Sequence, residues 1–443
     1  MMSVDTAELG TFAGRQRDQN LTENAELTHV GPGTPCGEYL RRFWQPVEIS
    51  SALGELPLAV RILGEDLVLF RSKSGGVGLL GRHCCHRGTS LEYGIVTEEG
   101  ISCCYHGWHY GLNGAILDTP NDPDSRIKET LRHTAYPIHE YKGIIFAYMG
   151  PPETVPKFPV MDIWEDPNSE LVPFCYPYPC NWLQALENTQ DPVHSVFLHT
   201  RISGAQFEES WGVLPKVEWV DTPLGMMNIN VRRWKDKIWV RTTELVLPNV
   251  VQSGANNETG EQEKYLQRTS ASRWFRATDD TNTEIIGWRI LDDNTEANLK
   301  DPSLYGKNKT PTFGQMDEGR PLEECQRIPG DFEAIVSQGP ITVHARENLA
   351  TTDAGVGKLR NLVRRGIRAV KTGKTFISPP SDADGPIPTY TQDTVIPYTG
   401  KSEGDAFVRD VGAKVAEIVL KSASYPAEQR KEEVARGVRA LSL

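Results

Sequence analysis

The sequence predicts an α+β protein in which a small all-β domain precedes a larger domain built on an antiparallel β-sheet flanked by helices. Three observations support this fold class. Short segments that alternate apolar and polar residues between glycine-rich turns fill the chain up to about residue 150 and predict antiparallel strands. β-Branched and aromatic runs from about 214 to 292 predict a second antiparallel sheet. Helical patterns at 181–200, from 331 onward and at about 404–440 predict the helices.

Composition and charge limit the classes of protein that the chain can belong to. Its 443 residues suffice for two or three domains, and its net charge of −12 argues against a general nucleic-acid-binding protein. The first twenty residues lack an apolar core, and no apolar run approaches the roughly 18 residues that cross a bilayer. We therefore expect neither a signal peptide nor a membrane anchor, and a cytoplasmic location. In a reducing compartment the eight cysteines favour metal ligation over disulfides.

A proline-rich segment, "PPETVPKFP" from residue 151, follows the predicted strand "GIIFAYMG" and predicts a domain boundary. We expect an N-terminal segment, residues 1–45, that packs on the larger domain, then the small β domain at 46–155 and the larger domain at 156–443. The glycine-rich stretch "SKSGGVGLLG" at 72–81 joins two predicted strands. We interpret it as a hairpin turn, because a dinucleotide-binding loop would connect a strand to a helix.

Two loops combine cysteine with histidine in the pattern Cys84-x-His86, sixteen intervening residues, Cys103-x-x-His106. A single tetrahedral zinc can take two cysteines and two histidines. A [2Fe–2S] cluster in which one iron binds the cysteines and the other the histidines can do the same. Zinc modules usually pair cysteine with cysteine and histidine with histidine in separate knuckles. The mixed loops therefore favour the cluster, with zinc as the alternative.

The segments "CCHRGTSLEYG" and "CCYHGWHY" resemble the fingerprint of Rieske proteins, C-x-H-R-G followed by C-x-Y-H-G-W. The resemblance implies a Rieske-type [2Fe–2S] cluster with four ligands, which are Cys84, His86, Cys103 and His106. Cys85 and Cys104 stand where this family often has proline, so we expect them to fill space. His83 and His109 flank the ligand positions, and we expect them to pack or to form hydrogen bonds.

A second group of candidate residues lies in "ENTQDPVHSVFLH", which contains Asp191, His194 and His199. Non-haem Fe(II) oxygenases bind iron through two histidines and one carboxylate. On a regular α-helix residues five apart point about 140° apart, so these histidines converge only if the helix bends or contains a π-like turn. Pro192 gives a reason for such an irregularity. Taken alone, two histidines on a helix of this kind are more often core residues than ligands.

The longer segment "NWLQALENTQDPVHSVFLH" is similar to N-W-x4-E-N-x2-D-x2-H-x4-H of the ring-hydroxylating Rieske oxygenases. The similarity implies that His194 and His199 bind a mononuclear Fe(2+). It also implies that Asp191 is the catalytic carboxylate that bridges an iron-binding histidine and a Rieske histidine of a neighbouring subunit. "GDFEAIVSQGPI" resembles the C-terminal segment of the family and implies that Asp331 is the third iron ligand. Glu333, which we expect to point elsewhere, is the alternative.

The C-terminal stretch "SQGPI…RENLATTDAGVGKLRNLVRRGI" resembles the phthalate-dioxygenase-like branch of these oxygenases. The resemblance implies a head-to-tail homotrimer and a separate NAD(P)H reductase that contains FMN and a [2Fe–2S] cluster. The implied reaction inserts oxygen from O₂ into an aromatic substrate, an aromatic carboxylate or an aryl ether, by dihydroxylation or by monooxygenation with O-demethylation. A Rieske-type electron-transfer protein without oxygenase chemistry is one alternative, and a zinc-stapled protein is another.

Candidate substrate-binding residues lie in and around the predicted second sheet. Three arginines can pair with a substrate carboxylate or can equally be solvated strand residues: Arg232, Arg233 and Arg241. Three aromatic residues are candidates for the pocket wall: Phe197, Trp211 and Trp234. The basic amphipathic helix predicted at 358–374 can contact a reductase, although such faces are more often solvated.

Overall fold

The computed structural model describes residues 21–201, 206–317, 319–374, 376, 385–398, 400 and 404–441. Three small antiparallel sheets lie between Trp44 and Tyr148, and a nine-stranded antiparallel sheet with surrounding helices follows from Glu170. The predicted α+β fold class is therefore confirmed. The prediction about residues 1–20 lies outside the described residues. Among the helices that the structure describes, none is long and apolar enough to cross a membrane.

The strands of the first part are short. They are β1 (Trp44–Ile49), β2 (Leu58–Ile62), β3 (Glu65–Arg71), β4 (Val77–Gly81), β5 (Ile95–Val96), β6 (Gly100–Ser102), β7 (His109–Gly111), β8 (Ile116–Asp118), β9 (Ile138–Tyr141) and β10 (Ile144–Tyr148). Their sheets have the orders β1-β10-β9, β2-β3-β4 and β5-β6-β7-β8. β1, β3 and β10 each contain a continuous run of buried residues. The hairpin predicted at 72–81 is confirmed, because β3 and β4 pair across a turn closed by hydrogen bonds between Ser72 and Gly75–Gly76.

The second sheet has the order β11-β18-β17-β15-β14-β13-β12, with β19 paired to β14 and β16. Its strands are β11 (Glu170–Tyr178), β12 (Lys216–Thr222), β13 (Gly225–Trp234), β14 (Lys237–Val246), β15 (Val250–Ser253), β16 (Lys264–Arg268), β17 (Ala271–Asp279), β18 (Asn282–Leu291) and β19 (Gln392–Pro397). The sheet predicted at 214–292 is confirmed, but β11 and β19 extend it beyond the prediction. β11 contains Pro173 and Pro177, which an edge strand tolerates because its outer side needs no N–H donors.

The segment predicted as one helix at about 404–440 is divided, and this prediction was wrong, whereas the irregular helix with a π-like turn predicted at 181–200 is confirmed. The helices are α1 (Ala25–Thr28), α2 (Pro35–Leu40), α3 (Ile127–Thr130), α4 (Trp182–Asn188), α5 (His194–Val196), α6 (Leu322–Arg327), α7 (Asp331–Val336), α8 (Ala354–Lys371), α9 (Asp405–Lys421) and α10 (Ala427–Arg439). The 181–200 segment breaks before Pro192 and continues through α5 into a π-helix, Phe197–Arg201. The 404–440 segment breaks before Pro426, since proline lacks the N–H that would continue α9.

The largest buried cluster joins the two parts of the chain. It contains Val47, Leu69 and Ile145 from the first part together with Leu183 and Phe275 from the second. The described N-terminal residues also contact the second part, because Trp182 Nε1 donates to the Leu27 carbonyl at 3.1 Å. The division into residues 1–45, 46–155 and 156–443 stays a prediction. The shared core holds the small β part in a fixed position against the second sheet.

Candidate metal centres and substrate cavity

The two Cys/His loops have the same backbone geometry. In the first loop the Gly88 N–H donates to the Cys84 carbonyl at 2.8 Å, and in the second the Gly107 N–H donates to the Cys103 carbonyl at 3.0 Å. Gly88 and Gly107 have φ values of +79° and +74°, a region that is strained for any residue with a Cβ. The glycine four residues after Cys84 and after Cys103 is therefore required by the turn that presents the ligands.

The loops separate the two kinds of candidate ligand by depth. Cys84 and Cys103 are buried, with 3% and 4% of their surface exposed, and both belong to one buried cluster beneath the loops. His86 and His106 are half-buried, and their ring centroids lie 4.7 Å apart. A two-iron cluster that binds thiolates on its inner iron and imidazoles on its outer iron requires this arrangement. The donor set therefore fits a Rieske cluster.

Two aromatic residues support these loops. The Trp108 ring stacks on His86 with the ring centroids 4.7 Å apart, and its Nε1 donates to Asn121 at 2.8 Å. The Tyr110 hydroxyl lies 2.8 Å from the Cys84 sulfur, where an O–H donor would tune the reduction potential of a cluster. Sequence reasoning missed Tyr110, although its position on the buried face of β7, two residues after Trp108, was a usable signal.

The remaining cysteines and histidines of the loops differ from the candidate ligands in exposure or hydrogen bonding, and the Cys85 sulfur lies 3.5 Å from the Tyr110 hydroxyl. Cys85 and Cys104 are exposed. His83 Nδ1 lies 3.0 Å from the Gly88 carbonyl, and His109 Nε2 lies 2.8 Å from the Thr97 hydroxyl. These hydrogen bonds account for both histidines without a metal, as expected from their positions in the motif.

The second centre forms where the irregular helix meets α7. His194 begins α5 and His199 lies in the π-helix, while Asp331 is the first residue of α7. The Nε2 atoms of His194 and His199 lie 3.5 and 3.3 Å from the same oxygen, Oδ1 of Asp331. The π-helical turn inserts an extra residue and brings the two rings to one point, as the spacing requires. Two imidazoles and one carboxylate facing one point fit a non-haem Fe(2+).

Hydrogen bonds to the far side of each ring fix its orientation. His199 Nδ1 lies 2.9 Å from the Gln206 side-chain oxygen, and His194 Nδ1 contacts the Asp191 carbonyl. With Nδ1 as the donor in each case, Nε2 keeps its lone pair for a metal. Sequence reasoning missed Gln206, because the partner of a histidine seven residues away depends on the loop between them.

The carboxylate of Asp331 is held in its charged form. Burial opposes its ionisation, but His199 and His194 and the Gln315 side-chain donor outweigh burial and lower the pKa of Asp331 below its usual range. The Asn188 side chain also donates to Oδ1 at 3.3 Å. Glu333 points away, since it accepts from Arg320 at 2.6 Å and from the Gly330 N–H at 2.7 Å. The geometry thus brings Asp331, not Glu333, to the histidines.

Asp191 lies between the cavity that contains His194 and Asp331 and the outer surface of the protein. It lines the cavity beside His194, and it also lines a surface depression of about 430 Å³ that includes Glu187 and Arg360. Its side chain is 28% exposed, and its Oδ2 lies 3.9 Å from His194 Nδ1. Within the described ranges no hydrogen bond joins Asp191 to the histidines of the cysteine loops. Its carboxylate is therefore accessible from outside the chain.

The structure distinguishes the three candidate arginines. Arg241 forms two 2.7 Å hydrogen bonds with Asp393, so its charge is already paired. Arg233 lies outside the cavity and donates to the Gly400 carbonyl. Arg232 is buried, lines the cavity of about 120 Å³ that contains Asp331, and has no carboxylate partner in the part of the chain that the structure describes. Burial lowers the pKa of Arg232 to about 9, which leaves it protonated at neutral pH.

The aromatic candidates also differ. Trp211 lines the cavity, and the Arg232 guanidinium lies 5.2 and 5.0 Å from the centroids of the Trp211 and Trp239 rings. Phe197 is 40% exposed and lines the outer depression, while Trp234 lies outside both and donates to Glu261. Phe207, which sequence reasoning missed, lines the cavity and stacks on His199 at 4.3 Å.

Comparisons with known proteins found a matching domain, related chains and similar structures. Residues 43–139 match the Rieske [2Fe-2S] domain. The chain is 38% identical, over 95% of its length and 94% of the relative, to a tert-butanol monooxygenase / tert-amyl alcohol desaturase oxygenase subunit from Aquincola tertiaricarbonis. It is 37% identical, over 79% of its length and 85% of the relative, to the phenoxybenzoate dioxygenase subunit alpha from Ectopseudomonas oleovorans. The structure of Pseudomonas putida CBB5 NdmA QL mutant with theobromine covers 83% of this chain and 99% of its own at 19% identity and a TM-score of 0.59.

The α+β fold, the cysteine loops and the His/His/Asp centre define an oxygenase component that couples a Rieske domain to a non-haem iron site. The chain belongs to the Rieske non-haem iron ring-hydroxylating oxygenases, as an α subunit of the phthalate-dioxygenase-like branch. It is therefore an oxidoreductase that uses a Rieske [2Fe–2S] cluster and a mononuclear Fe(2+). Neither the pure electron-transfer alternative nor the zinc alternative is favoured.

Proposed function

We propose that this oxygenase inserts oxygen from O₂ into an aromatic carboxylate or a carboxylated aryl ether. The observation that carries the proposal is Arg232, a buried guanidinium without a carboxylate partner among the described residues, in the same cavity as His194, His199 and Asp331. A buried unpaired charge costs several kcal/mol unless a partner arrives, so an anionic substrate group would complete this site. The carboxylate would then hold the ring beside the three iron-binding side chains.

We assign the cluster to Cys84, His86, Cys103 and His106, and the Fe(2+) to His194, His199 and Asp331. When bound, the Fe(2+) supplies the activation of O₂, with electrons delivered through the cluster. Gln206 and the Asp191 carbonyl keep both imidazoles aimed at one point. Phe207 and Trp211 cover the centre and exclude water from the reacting ring.

Arg232 is fixed before any substrate arrives. Its guanidinium donates to Asn230 at 2.6 Å, to the Ser195 hydroxyl at 3.3 Å and to the Val213 carbonyl at 3.2 Å. These bonds and the two tryptophan rings restrict the side chain, so pairing with a carboxylate loses little conformational entropy. Because guanidinium and carboxylate are both charged, the pair would be stronger than a neutral hydrogen bond.

Replacing Arg232 with glutamine should therefore weaken the binding of benzoate by about 10- to 100-fold, which corresponds to the loss of one charge-assisted interaction. Isothermal titration of the protein containing both metals measures this change. Arg233→Gln is the matched control, because it removes a neighbouring arginine that lies outside the cavity. Unchanged benzoate affinity in a folded Arg232→Gln variant would overturn the carboxylate assignment.

We also propose a head-to-tail homotrimer in which the Asp191 carboxylate bridges an iron-binding histidine and a cluster-binding histidine of a neighbouring copy, so that electrons pass from that cluster to the iron site. The position of Asp191 supports this proposal, because it lines both the iron cavity and the outer depression and makes no contact with His86 or His106 within the described chain. A carboxylate at such a junction can accept an imidazole N–H from each side. A separate NAD(P)H reductase with FMN and a [2Fe–2S] cluster would supply the electrons, and we place the protein in the cytoplasm.

Asp191→Asn should lower the rate of product formation by about 10- to 100-fold while both metals stay bound, because an amide orients imidazoles less well than a carboxylate. The rate of iron-site reduction by a pre-reduced cluster, followed by stopped-flow spectroscopy, measures the effect. Asp353→Asn is the control, since Asp353 lines the same outer depression and its carboxylate bonds to the Ala350 N–H. A normal transfer rate in Asp191→Asn would contradict the bridging role.

The names of the relatives span a tertiary alcohol, a phenoxybenzoate and an O-demethylase substrate, so the substrate class needs a direct test. Benzoate, 3-phenoxybenzoate, 4-methoxybenzoate and tert-butanol are supplied with NADH and a surrogate reductase, and products are identified by mass. We expect oxygenated products from the carboxylated compounds. Turnover of tert-butanol alone would overturn the aromatic carboxylate proposal.

A further inference from the structure

A second and larger cavity, of about 290 Å³, adjoins the cavity that contains Asp331. The two cavities share Phe207 and Asn256 as walls. Gly254 lines the inner cavity, and Ala255 in the same loop lines the outer one. Because the Phe207 ring also stacks on His199, one layer of side chains separates the outer cavity from the iron-binding residues.

Two arginines on neighbouring strands mark the boundary between the cavities. Arg289 on β18 lines the outer cavity, and Arg273 on β17 lines the inner one. Arg289 donates to the Thr312 hydroxyl at 3.2 Å, and Arg273 donates to the Ser253 hydroxyl at 3.3 Å. Nothing in the described chain hydrogen-bonds the buried Nε of Arg273. These partners are neutral, so neither guanidinium charge is balanced by them.

Two other arginines of these walls are balanced by carboxylates. Arg268, which lines the outer cavity, contacts Asp162 at 2.7 Å and Asp166 at 3.7 Å. Arg241 in the inner cavity is paired with Asp393. By contrast, none of the ion pairs among the described residues includes Arg289 or Arg273. Burial lowers the pKa of Arg289, as expected for a guanidinium without a counter-charge.

The acidic residues of the outer cavity lie where water reaches them. Glu208 and Glu296 are exposed, and Asp292 is half-exposed and accepts from the Asn294 N–H at 2.9 Å. Exposed carboxylates are screened by water and salt, whereas an ion held against Arg289 inside the cavity is screened much less. The interior of the outer cavity therefore favours a negative group despite the acidic side chains of its lining.

We propose that the outer cavity is a second substrate subsite, in which Arg289, with Arg273 beside it, binds a distal acidic group, a carboxylate or a phenolate, of a two-ring substrate. This inference rests on the proposed function, since the first ring would occupy the inner cavity beside Arg232. The second ring would pass Phe207 and Asn256, the two residues common to both walls. Arg289 is thereby a specificity-determining residue that does not touch the reacting ring.

Equilibrium titration of the protein with both metals bound tests the subsite without requiring turnover. Three probes of increasing length are compared. They are benzoate, para-phenoxybenzoate, and the dicarboxylate that carries a second carboxylate on the distal ring of para-phenoxybenzoate. We expect the dicarboxylate to bind about tenfold more tightly than para-phenoxybenzoate. Arg289→Gln should remove this difference and leave benzoate affinity unchanged. Arg233→Gln, which removes a charge outside both cavities, should preserve the difference.

Two results would overturn the subsite. The first is a dicarboxylate that binds no more tightly than para-phenoxybenzoate, and the second is an equal loss of affinity for all three probes in Arg289→Gln. A different result would overturn the proposed function, namely a benzoate affinity that does not change when Arg232 is replaced. A dependence of benzoate on Arg232 without any dependence of the dicarboxylate on Arg289 would reject the subsite alone. Retained cluster absorption and iron content in each variant exclude misfolding as the cause.

Discussion

His194→Ala is expected to lose the mononuclear iron and all coupled product formation while the Rieske absorption spectrum stays unchanged. His194 supplies one of three donors that meet at a single point, with its Nε2 3.5 Å from Asp331 Oδ1. Two remaining donors bind Fe(2+) far more weakly than three. Among the described residues that line this cavity, none belongs to the cluster loops. The side chain of His194 is 23% exposed, so its removal leaves no sealed cavity in the core.

Iron analysis measures this outcome directly, with a fall from about three to about two irons per chain. His29→Ala is the matched control, because His29 contacts Glu23 and Asp280 and lies away from both centres. The control should keep the full iron content and full activity. Substrate-dependent O₂ uptake with normal product yield in His194→Ala would refute the assignment of the iron site.

The second large effect is expected for Cys84→Ser in the first cysteine loop, in contrast to the same substitution at the adjacent Cys85. Cys84→Ser should abolish the cluster and its visible absorption, whereas Cys85→Ser should retain both. Cys84 is buried beside the Tyr110 hydroxyl, and Cys85 is exposed. A serine hydroxyl is a poor ligand for an iron–sulfur cluster, because it stays protonated where a thiol becomes a thiolate.

Electron paramagnetic resonance of the reduced proteins distinguishes the two variants, since a Rieske cluster gives a signal only when all four ligands hold it. Cys85→Ser is the control, because it replaces the same type of sulfur atom with oxygen in the same loop. A normal Rieske signal in Cys84→Ser, or its loss in Cys85→Ser, would show that the ligands had been assigned to the wrong thiols.

The candidate ligands could be predicted from the sequence because each of them lies in a short motif. The residues that orient them could not, since Gln206 and Gln315 reach the iron-binding side chains only through tertiary folding. The π-helix was predictable from the five-residue spacing of His194 and His199. The motifs thus indicated the candidate ligands and required a distorted helix. They gave no information about the hydrogen bonds that orient the iron-binding side chains.

The substrate cavity depends on contacts between distant segments. The sequence does not distinguish Arg232 from Arg241, because both arginines lie on predicted strands. Only the pairing of β19 with β14 brings Asp393 to Arg241 and leaves Arg232 without a carboxylate in the described structure. β19 itself was not predicted, because its pairing joins segments about 150 residues apart. Local patterns therefore identified the chemistry, and long-range pairing determined which arginine can meet a substrate.

The central claim is that this chain places oxygen from O₂ into a carboxylated aromatic compound held by Arg232. The most direct measurement supplies the protein with isotopically labelled O₂, NADH, a surrogate reductase and 3-phenoxybenzoate, and determines the label in the product by mass spectrometry. We expect labelled product whose formation requires both His194 and Arg232. Cluster reduction and O₂ consumption without label in any product would contradict the account.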